Sequence, residues 1–425
     1  MLYFYSDKMI ESERKIITAS AAENLDTINE RVIHRFIPML VAENINRIIE
    51  YESGRLMPRV DLWNCIGMRM DKAFMSQQNR YKSREAFSYS LLVDKYKILE
   101  ELGIPSKGRD VIRDDDDSTK TWLEQKIEQF LSTGAIYIDS VGVNICDTCG
   151  YMQSVDNIRV NSCTICENDS FHSEKRNVLM VDIPKDRESL IRDRIIHPKN
   201  TEHVRGLFYQ LPPRMMISKI REYGLPLDSI GLEGYVLDPK IGVALMPQLV
   251  AEKYELSELT LTQGATVATN TIPYTSILTS GFHHNYLLLP KIPITSLEEA
   301  KNIGLGFMAR YLPLALMTYS NDITPDQLEI IRKEYARINW KIDITISSLQ
   351  SEKEQSLRLG QEDHQMLAEI FKDFTNYRIR AGQIKLGKFF KAQGKRYAEE
   401  MRHRGYYLSP TDIDTLENII KLFYK

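Results

Sequence analysis

Apolar and polar positions along this chain fall into blocks that predict strands and helices by turns. Residues 14–20 (RKIITAS) are a short β-branched run with charges before it and small residues after it, the pattern of a buried strand. From 27 to 51 the apolar positions Ile28, Val32, Ile33, Phe36, Leu40, Ile45 and Ile48 recur at helical spacing, so a long helix follows. Pro38 falls inside that pattern and predicts a kink or a division. A second strand is predicted at 59–64 (RVDLWN), then helices near 83–102 and 118–133 and a short strand at 135–139. Strand, long helix and strand in succession form the first unit of a parallel α/β sheet.

A cysteine-bearing segment at 145–171 interrupts the alternation. Beyond it, 177–182 (NVLMVD) reads as a strand, followed by charged helical sequence around 185–196. A second α/β stretch begins near Leu211 and includes 259–268 and 286–289; from Leu297 to Lys425 the pattern is helical. The expected fold class is α/β: a split Rossmann-like parallel sheet, a knuckle-bearing insertion and an all-helical C-terminal domain.

Composition changes this picture little. Hydrophobic residues at 43% and charged residues at 27% describe an ordinary globular chain, and 425 residues suffice for two or three domains. No window approaches the roughly 20 apolar residues that span a bilayer. Asp7, Lys8 and Glu11 leave no apolar signal at the N-terminus, so a cytoplasmic location and no membrane partner are expected. A net charge of −3 excludes a global pull toward nucleic acid, though a basic face can still act locally.

The five cysteines are too few for a disulfide scaffold, and their spacing carries the information. Cys146 and Cys149 form one CxxC pair; Cys163 and Cys166 form another. Two such turns supply the tetrahedral sulfur set that structural zinc prefers, with no open position for water. Gly150 follows the first pair, where the knuckle needs positive φ. An iron–sulfur cluster takes the same ligands and is the competing reading. Cys65 is left over and reads as a small core residue.

The order of these pieces resembles the methionyl branch of the class I aminoacyl-tRNA synthetases, in which a zinc knuckle splits the nucleotide-binding fold and a helical bundle comes last. The likeness is carried by 82–150, from "KSREAFSYSLLVDKYKILEELGI" through "GAIYI" to "CDTCG", by 216–234 ("MISKIREYGLPLDSIGLEG") and by 309–330. In element order it runs from Arg14 to about Thr345. The resemblance implies first-half Rossmann sequence at 1–134, a zinc-bearing insertion at 135–205 and a second half at 206–296. It further implies a helical region like the family's stem-contact elements at 297–345 and an anticodon-binding-like tail at 346–425.

The family's ATP signatures are altered here. Ile28-Asn29-Glu30-Arg31 stands where the family has its histidine–glycine–histidine motif, so Glu30 would bring negative charge beside a triphosphate while Arg31 could greet an anion. Lys291-Ile292-Pro293-Ile294-Thr295 stands for the mobile lysine loop, with Lys291 surviving and Ile294 in place of the second lysine. Loss of such cations should cost orders of magnitude in phosphoryl chemistry. The family's acid for the substrate amine falls in 64–71 (NCIGMRMD), with Gly67 or Met68 near the acidic position and Arg69 near the histidine. "VLDPKIGVAL" (236–245) stands where the family has an aromatic–aspartate segment.

Three further patterns invite chemistry. Asp114 to Asp117 read as a solvated acidic loop between two helices, ahead of a helix N-terminus that welcomes acids, rather than as a metal site. His283 and His284 are adjacent on a strand, so at most one lines any given site. In the tail, Arg378, Arg380, Lys385, Lys388, Lys391, Lys395 and Arg396 are interleaved with Tyr377, Phe389, Phe390 and Tyr397. That suits RNA backbone and unpaired bases, and equally an amphipathic helix that packs its Phe residues inward.

The sequence therefore predicts a repurposed synthetase relative: fold and zinc kept, adenylate chemistry lost, and a binding or partner-subunit role in its place. ATP use is what the altered signatures put in question. The alternatives are an ATP-dependent amino-acid ligase using Arg31, Arg69 and Lys291, and a tRNA- or RNA-binding protein using the basic tail. An amino acid, tRNA and a protein that completes the active site are the partners these readings allow.

Overall fold

The computed structural model describes residues 15–21, 33–153, 162–190, 205–279, 283–349, 356–403 and parts of 407–423, apart from isolated positions within these spans. The chain forms two compact units, one of residues 1–29, 60–96 and 109–288 and the other of 30–59, 97–108 and 289–425. Among the described residues, no helix is long and apolar enough to cross a membrane.

The first unit is built on a five-stranded sheet. Its strands are β1 (Lys15–Ala21), β2 (Arg59–Trp63), β3 (Arg109–Arg113), β10 (Glu258–Gly264) and β11 (His283–Leu289), in the order β11-β10-β1-β2-β3. β1 runs parallel to both neighbours, with Lys15–Ala19 beside Glu258–Thr262 and Ala19–Ala21 beside Asp61–Trp63. The chain winds outward from β1 to β3 and returns on the other side at β10, a doubly wound order with its switch between β1 and β10. Val60 to Trp63 and Leu259 to Gln263 are buried throughout, as strands covered on both faces must be.

Helices α2 (Met68–Met75), α3 (Arg84–Glu101) and α4 (Asp117–Thr133) follow β2 and β3. Gly134 ends α4 at φ 72°; its N–H donates to Leu131 and that of Ala135 to Phe130, closing orphan carbonyls as only a residue tolerant of positive φ can. Within the α/β stretch expected to include 259–268, β10 is the strand. It stops at Gly264, and 265–268 open helix α6 (Ala265–Leu278), because an apolar ATVA stretch satisfies a buried helix as well as a buried strand.

The insertion is antiparallel: β5 (Met152–Gln153), β4 (Ile136–Cys146), β6 (Phe171–Asp182) and β7 (Arg214–Met216), in that order. β4 and β6 pair from Ile136–Val181 to Cys146–Phe171, well beyond the two short strands expected. The outer half of β6, from Phe171 to Asn177, carries little apolar sequence because it is largely exposed, so no alternation marks it. Beyond it, β8 (Ser218–Ile220) pairs with β9 (Tyr235–Leu237), and Asp238 caps α5 (Pro239–Lys253) by accepting the Lys240 N–H at 3.0 Å. Of the helical sequence expected at 185–196, Lys185 to Arg187 are not helical and Glu188–Leu190 form a single 3₁₀ turn; 191–196 lie outside the described residues.

The second unit is helical: α1 (Ile33–Ser53), α7 (Leu297–Ile303), α8 (Leu312–Leu316), α9 (Pro325–Leu349), α10 (Gln361–Thr375) and α11 (Ile379–His403), with a π-helical turn at Phe307–Tyr311. Pro38 does not divide α1. Phe36, Ile37, Met39, Leu40 and Val41 are all at most 1% exposed, and that burial outweighs the roughly 3 kcal/mol a helical proline costs. α11 lies against α10 at Gly382, where an added Cβ would meet the Phe374 ring at 2.8 Å.

Candidate functional site

Two CxxC turns converge at the tip of the β4–β6 ribbon. In the first, the Gly150 N–H donates to the Cys146 carbonyl at 2.9 Å with Gly150 at φ 69°. In the second, the Glu167 N–H donates to the Cys163 carbonyl at 2.9 Å, and Glu167 adopts φ 64° without being glycine. The sulfurs cross-pair: Cys146 and Cys166 are 3.5 Å apart, as are Cys149 and Cys163. All four Sγ atoms lie within 4.8 Å of one another, a set that could hold a metal ion. Burial raises the Cys146 thiol, but the Cys149 and Thr148 N–H groups outweigh it and hold the thiol below its ordinary value.

The knuckle is tied to the sheet. The Cys146 N–H donates to the Tyr151 carbonyl, and the Tyr151 hydroxyl lies 3.3 Å from Lys219 Nζ. Lys219 is paired with Asp238 at 3.2 Å, both almost fully buried. Burial would raise Asp238, yet the Lys219 charge beside it wins and keeps its carboxyl below the usual range.

A second charged constellation closes the carboxyl ends of β2 and β3. Asp114 Oδ1 accepts the N–H of Cys65 at 2.6 Å and of Ile66 at 3.2 Å. Arg84 donates to the Cys65 carbonyl at 2.7 Å, and Arg221 to the Ile66 carbonyl at 2.9 Å. Both arginines also hold Asp71, Arg84 at 2.8 Å. Every main-chain polar group of Cys65 and Ile66 is thus taken by an ionisable side chain. Asn64 Oδ1, Asp114 Oδ2 and Arg221 Nη1 are buried there without a hydrogen bond among the described residues.

This overturns the reading of Asp114 to Asp117 as a solvated face between two helices. The segment follows β3; Asp114 is fully buried, and Asp115 is held by Arg113 through two 2.8 Å bonds. Only Asp116 and Asp117 face water at the start of α4. Burial, reinforced by Asp115, pushes Asp114 up to about 8. Burial and the same two acids push the Cys65 thiol well up, so Cys65 is an inert core thiol, as its sequence position suggested.

No family model matches the sequence, and neither does any curated protein. Solved structures do. A crystal structure of Mycobacterium tuberculosis methionyl-tRNA synthetase bound by methionyl-adenylate superposes with a TM-score of 0.66 at 10% identity, over 96% of this chain and 88% of that one. A second structure of that enzyme in complex with methionyl-adenylate gives a TM-score of 0.64 at the same identity and coverage. The fold is that of a class I methionyl-tRNA synthetase.

Within this methionyl-tRNA-synthetase fold the expected site residues fare unequally. Arg31 and its neighbours at 28–30 lie outside the described residues. Arg69 belongs to the first turn of α2, but its side chain is outside the described set, as are those of His283 and His284 at the start of β11. Lys291 is exposed on a loop whose main chain is clamped: its N–H donates to Asp322 at 2.9 Å, and its carbonyl accepts from Ile323 at 2.9 Å. Ile292 is 6% exposed and Ile294 0%, so the segment that the resemblance matched to the mobile lysine loop is rooted in the core.

In the tail, Arg380, Lys388, Lys391 and Lys395 share one exposed stripe of α11, spaced eight, three and four residues apart. Arg378 instead pairs with Asp373 at 2.6 Å, and Lys385 with Glu369 at 3.0 Å. Phe389 and Phe390 are buried, so they pack the helix and offer no face to a base; the side chains of Tyr377, Arg396 and Tyr397 lie outside the described residues. Asp71, Arg84, Lys219, Arg221 and Asp238 escaped the sequence reading. The available signal was a charge set among apolar neighbours, as in the Lys219 and Arg221 of MISKIREY.

Proposed function

We propose that this chain keeps a class I synthetase scaffold, has given up aminoacyl-adenylate and tRNA-charging chemistry, and serves as a binding protein or as a partner subunit for an active enzyme. The observation that carries this reading is Ile294, fully buried where the resembling family has its second loop lysine. A loop that must swing a cation onto a pentavalent phosphate needs mobility and charge, and 291–294 has an apolar anchor and a clamped main chain instead. The wrapped segment at Cys65 and Ile66 supports the same reading, because its polar groups are already committed within the fold.

On this reading the knuckle holds zinc in a structural role. Tetrahedral zinc with about 2.3 Å Zn–S bonds sets sulfurs about 3.8 Å apart, and the two close pairs at 3.5 Å suit it. Cys146, Cys149, Cys163 and Cys166 would be its ligands, and the metal would supply the core that the ribbon tip lacks.

The competing ligase reading draws on the unmatched polar atoms of Asn64, Asp114 and Arg221 at the ends of β2 and β3, where doubly wound sheets bind ligands. The RNA reading draws on the exposed stripe from Arg380 to Lys395. Calorimetric titration of ATP and a panel of amino acids, singly and together, into the zinc-loaded protein tests the choice. No ATP binding in any combination is expected. Tight ATP binding that one amino acid improves would sink the proposal in favour of the ligase. Salt-sensitive tRNA binding lost on neutralising Lys388 and Lys391 would favour the third reading.

A further inference from the structure

The segments that leave β2 and β3 bring together a second set of metal-ligating side chains, separate from the knuckle. β2 and β3 are neighbours in the sheet, and the Asp114 N–H continues their pairing by donating to the Trp63 carbonyl at 3.2 Å. Cys65 therefore lies beside Asp114 and Asp115. The Cys65 Sγ and one carboxylate oxygen from each aspartate all fall within 4.8 Å of one another, and all three residues are buried. Tetrahedral zinc, with bonds of about 2.3 Å to sulfur and about 2.1 Å to oxygen, holds such atoms about 3.5 Å apart, inside that limit.

Hydrogen bonds within the fold do not account for this set. Asp114 is fully buried; its Oδ1 takes the Cys65 and Ile66 N–H groups, while Oδ2 has no hydrogen bond among the described residues. Protonation does not repair this, because a carboxylate Oδ2 lacks a donor and an acid O–H lacks an acceptor. The arginines of the constellation are engaged elsewhere. Arg84 and Arg221 hold Asp71 and the carbonyls of Cys65 and Ile66, and Arg113 holds Asp115. Burial, then the adjoining acids, raises both Asp114 and the Cys65 thiol, as befits groups that become anions side by side with no cation between them.

We propose that Cys65, Asp114 and Asp115 bind a divalent cation of the zinc class. The sulfur selects a borderline-soft ion over magnesium or calcium, and carboxylates are also zinc ligands. Three protein ligands leave a fourth position, unlike the closed set of the knuckle. Without the ion, Cys65 is the inert thiol described above and Asp114 keeps its proton at neutral pH. Binding breaks the S–H and O–H bonds, releases both protons to solvent, and forms metal–sulfur and metal–oxygen bonds in their place. Cobalt(II), a coloured stand-in for zinc, titrated into the metal-free full-length protein under argon reads the site. Two ions per chain are expected, one with the intense charge-transfer bands of four thiolates and one with the weaker bands of a single thiolate. The two signals are distinct, so loss of either leaves the other interpretable. Cys65→Ser and Asp114→Asn should each abolish the single-thiolate bands and leave the four-thiolate bands unchanged. Where these variants do not fold, cadmium NMR of the parent protein decides: a second resonance is expected far upfield of the four-thiolate signal. No ion beyond the knuckle's, no second cadmium resonance, or single-thiolate bands that persist in both variants would overturn the site.

Discussion

The cysteine knuckle and the loop at Lys291 are two places where the resemblance to class I synthetases implies chemistry, and the structure treats them in opposite ways. The knuckle keeps all four thiols within 4.8 Å of one another, with the Thr148 and Cys149 N–H groups turned on the Cys146 sulfur. The loop keeps one exposed lysine and has sunk Ile292 and Ile294 into the core. A structural metal contributes to the fold's own stability, whereas a phosphate-handling loop contributes only to turnover. Stability is needed whatever the protein does, so the two sites answer to different demands. Retention in one and replacement in the other is what the proposed change of function on a fixed scaffold would produce.

The contrast can be broken first at the knuckle. Cys163→Ser, or stripping the metal with a chelator, should unfold the ribbon tip, at a cost set by metal binding energies of about 10 kcal/mol in small zinc domains. Loss of near-UV dichroism with the sheet unit still folded is the expected result; an unchanged spectrum would mean that no metal supports the tip. Next comes Lys219→Met, which strands Asp238 as a buried unpaired charge and should cost about 3–5 kcal/mol in urea unfolding. Asp238 is depressed in the fold, so its contribution is complete above the ordinary aspartate pKa and is lost as pH falls through the lower folded value. The variant should therefore lose that acid limb.

Asp114 runs the other way. Its pKa is raised to about 8 in the fold, so the native state holds its proton longer than the unfolded chain does, and stability should fall as pH climbs from about 4 toward 8. Asp114→Asn keeps an oxygen for the Cys65 and Ile66 N–H groups and should flatten that descent in a series of melting curves. A slope identical to the parent's would assign the proton elsewhere. Smallest of all, Lys291→Ala should change stability by less than about 0.5 kcal/mol, as for an ordinary surface side chain. A large loss of ATP affinity in that variant would instead restore the loop to catalysis.

How much of this was legible depended on range. The knuckle could be read because its ligands lie three residues apart within each turn, and β2 because Val60, Leu62 and Trp63 fall in one short run. α2 was too short, at eight residues, for periodicity to declare it. The fate of Asp114 is set by N–H groups 48 and 49 positions away, and that of Asp71 by Arg84 and Arg221 from two different segments. Four aspartates in a row look solvated until a fold turns two of them inward. The tail divided in the same way: its phenylalanines obeyed the amphipathic pattern, while its cations split between ion pairs and an open stripe.

The two knuckle turns, alike in hydrogen bonding, are unlike in composure. Gly150 occupies its left-handed conformation at no steric cost; Glu167 holds the same shape against a penalty of about 1 kcal/mol. On that difference alone, the half of the clasp built by Cys163 and Cys166 is expected to slacken first. Release of a bound ion would begin there, with Cys146 and Cys149 the last to let go, giving the site a direction in time that four equivalent sulfurs would lack. A Glu167→Gly substitution would even the halves and slow the opening step by about fivefold, the kinetic image of that same kilocalorie.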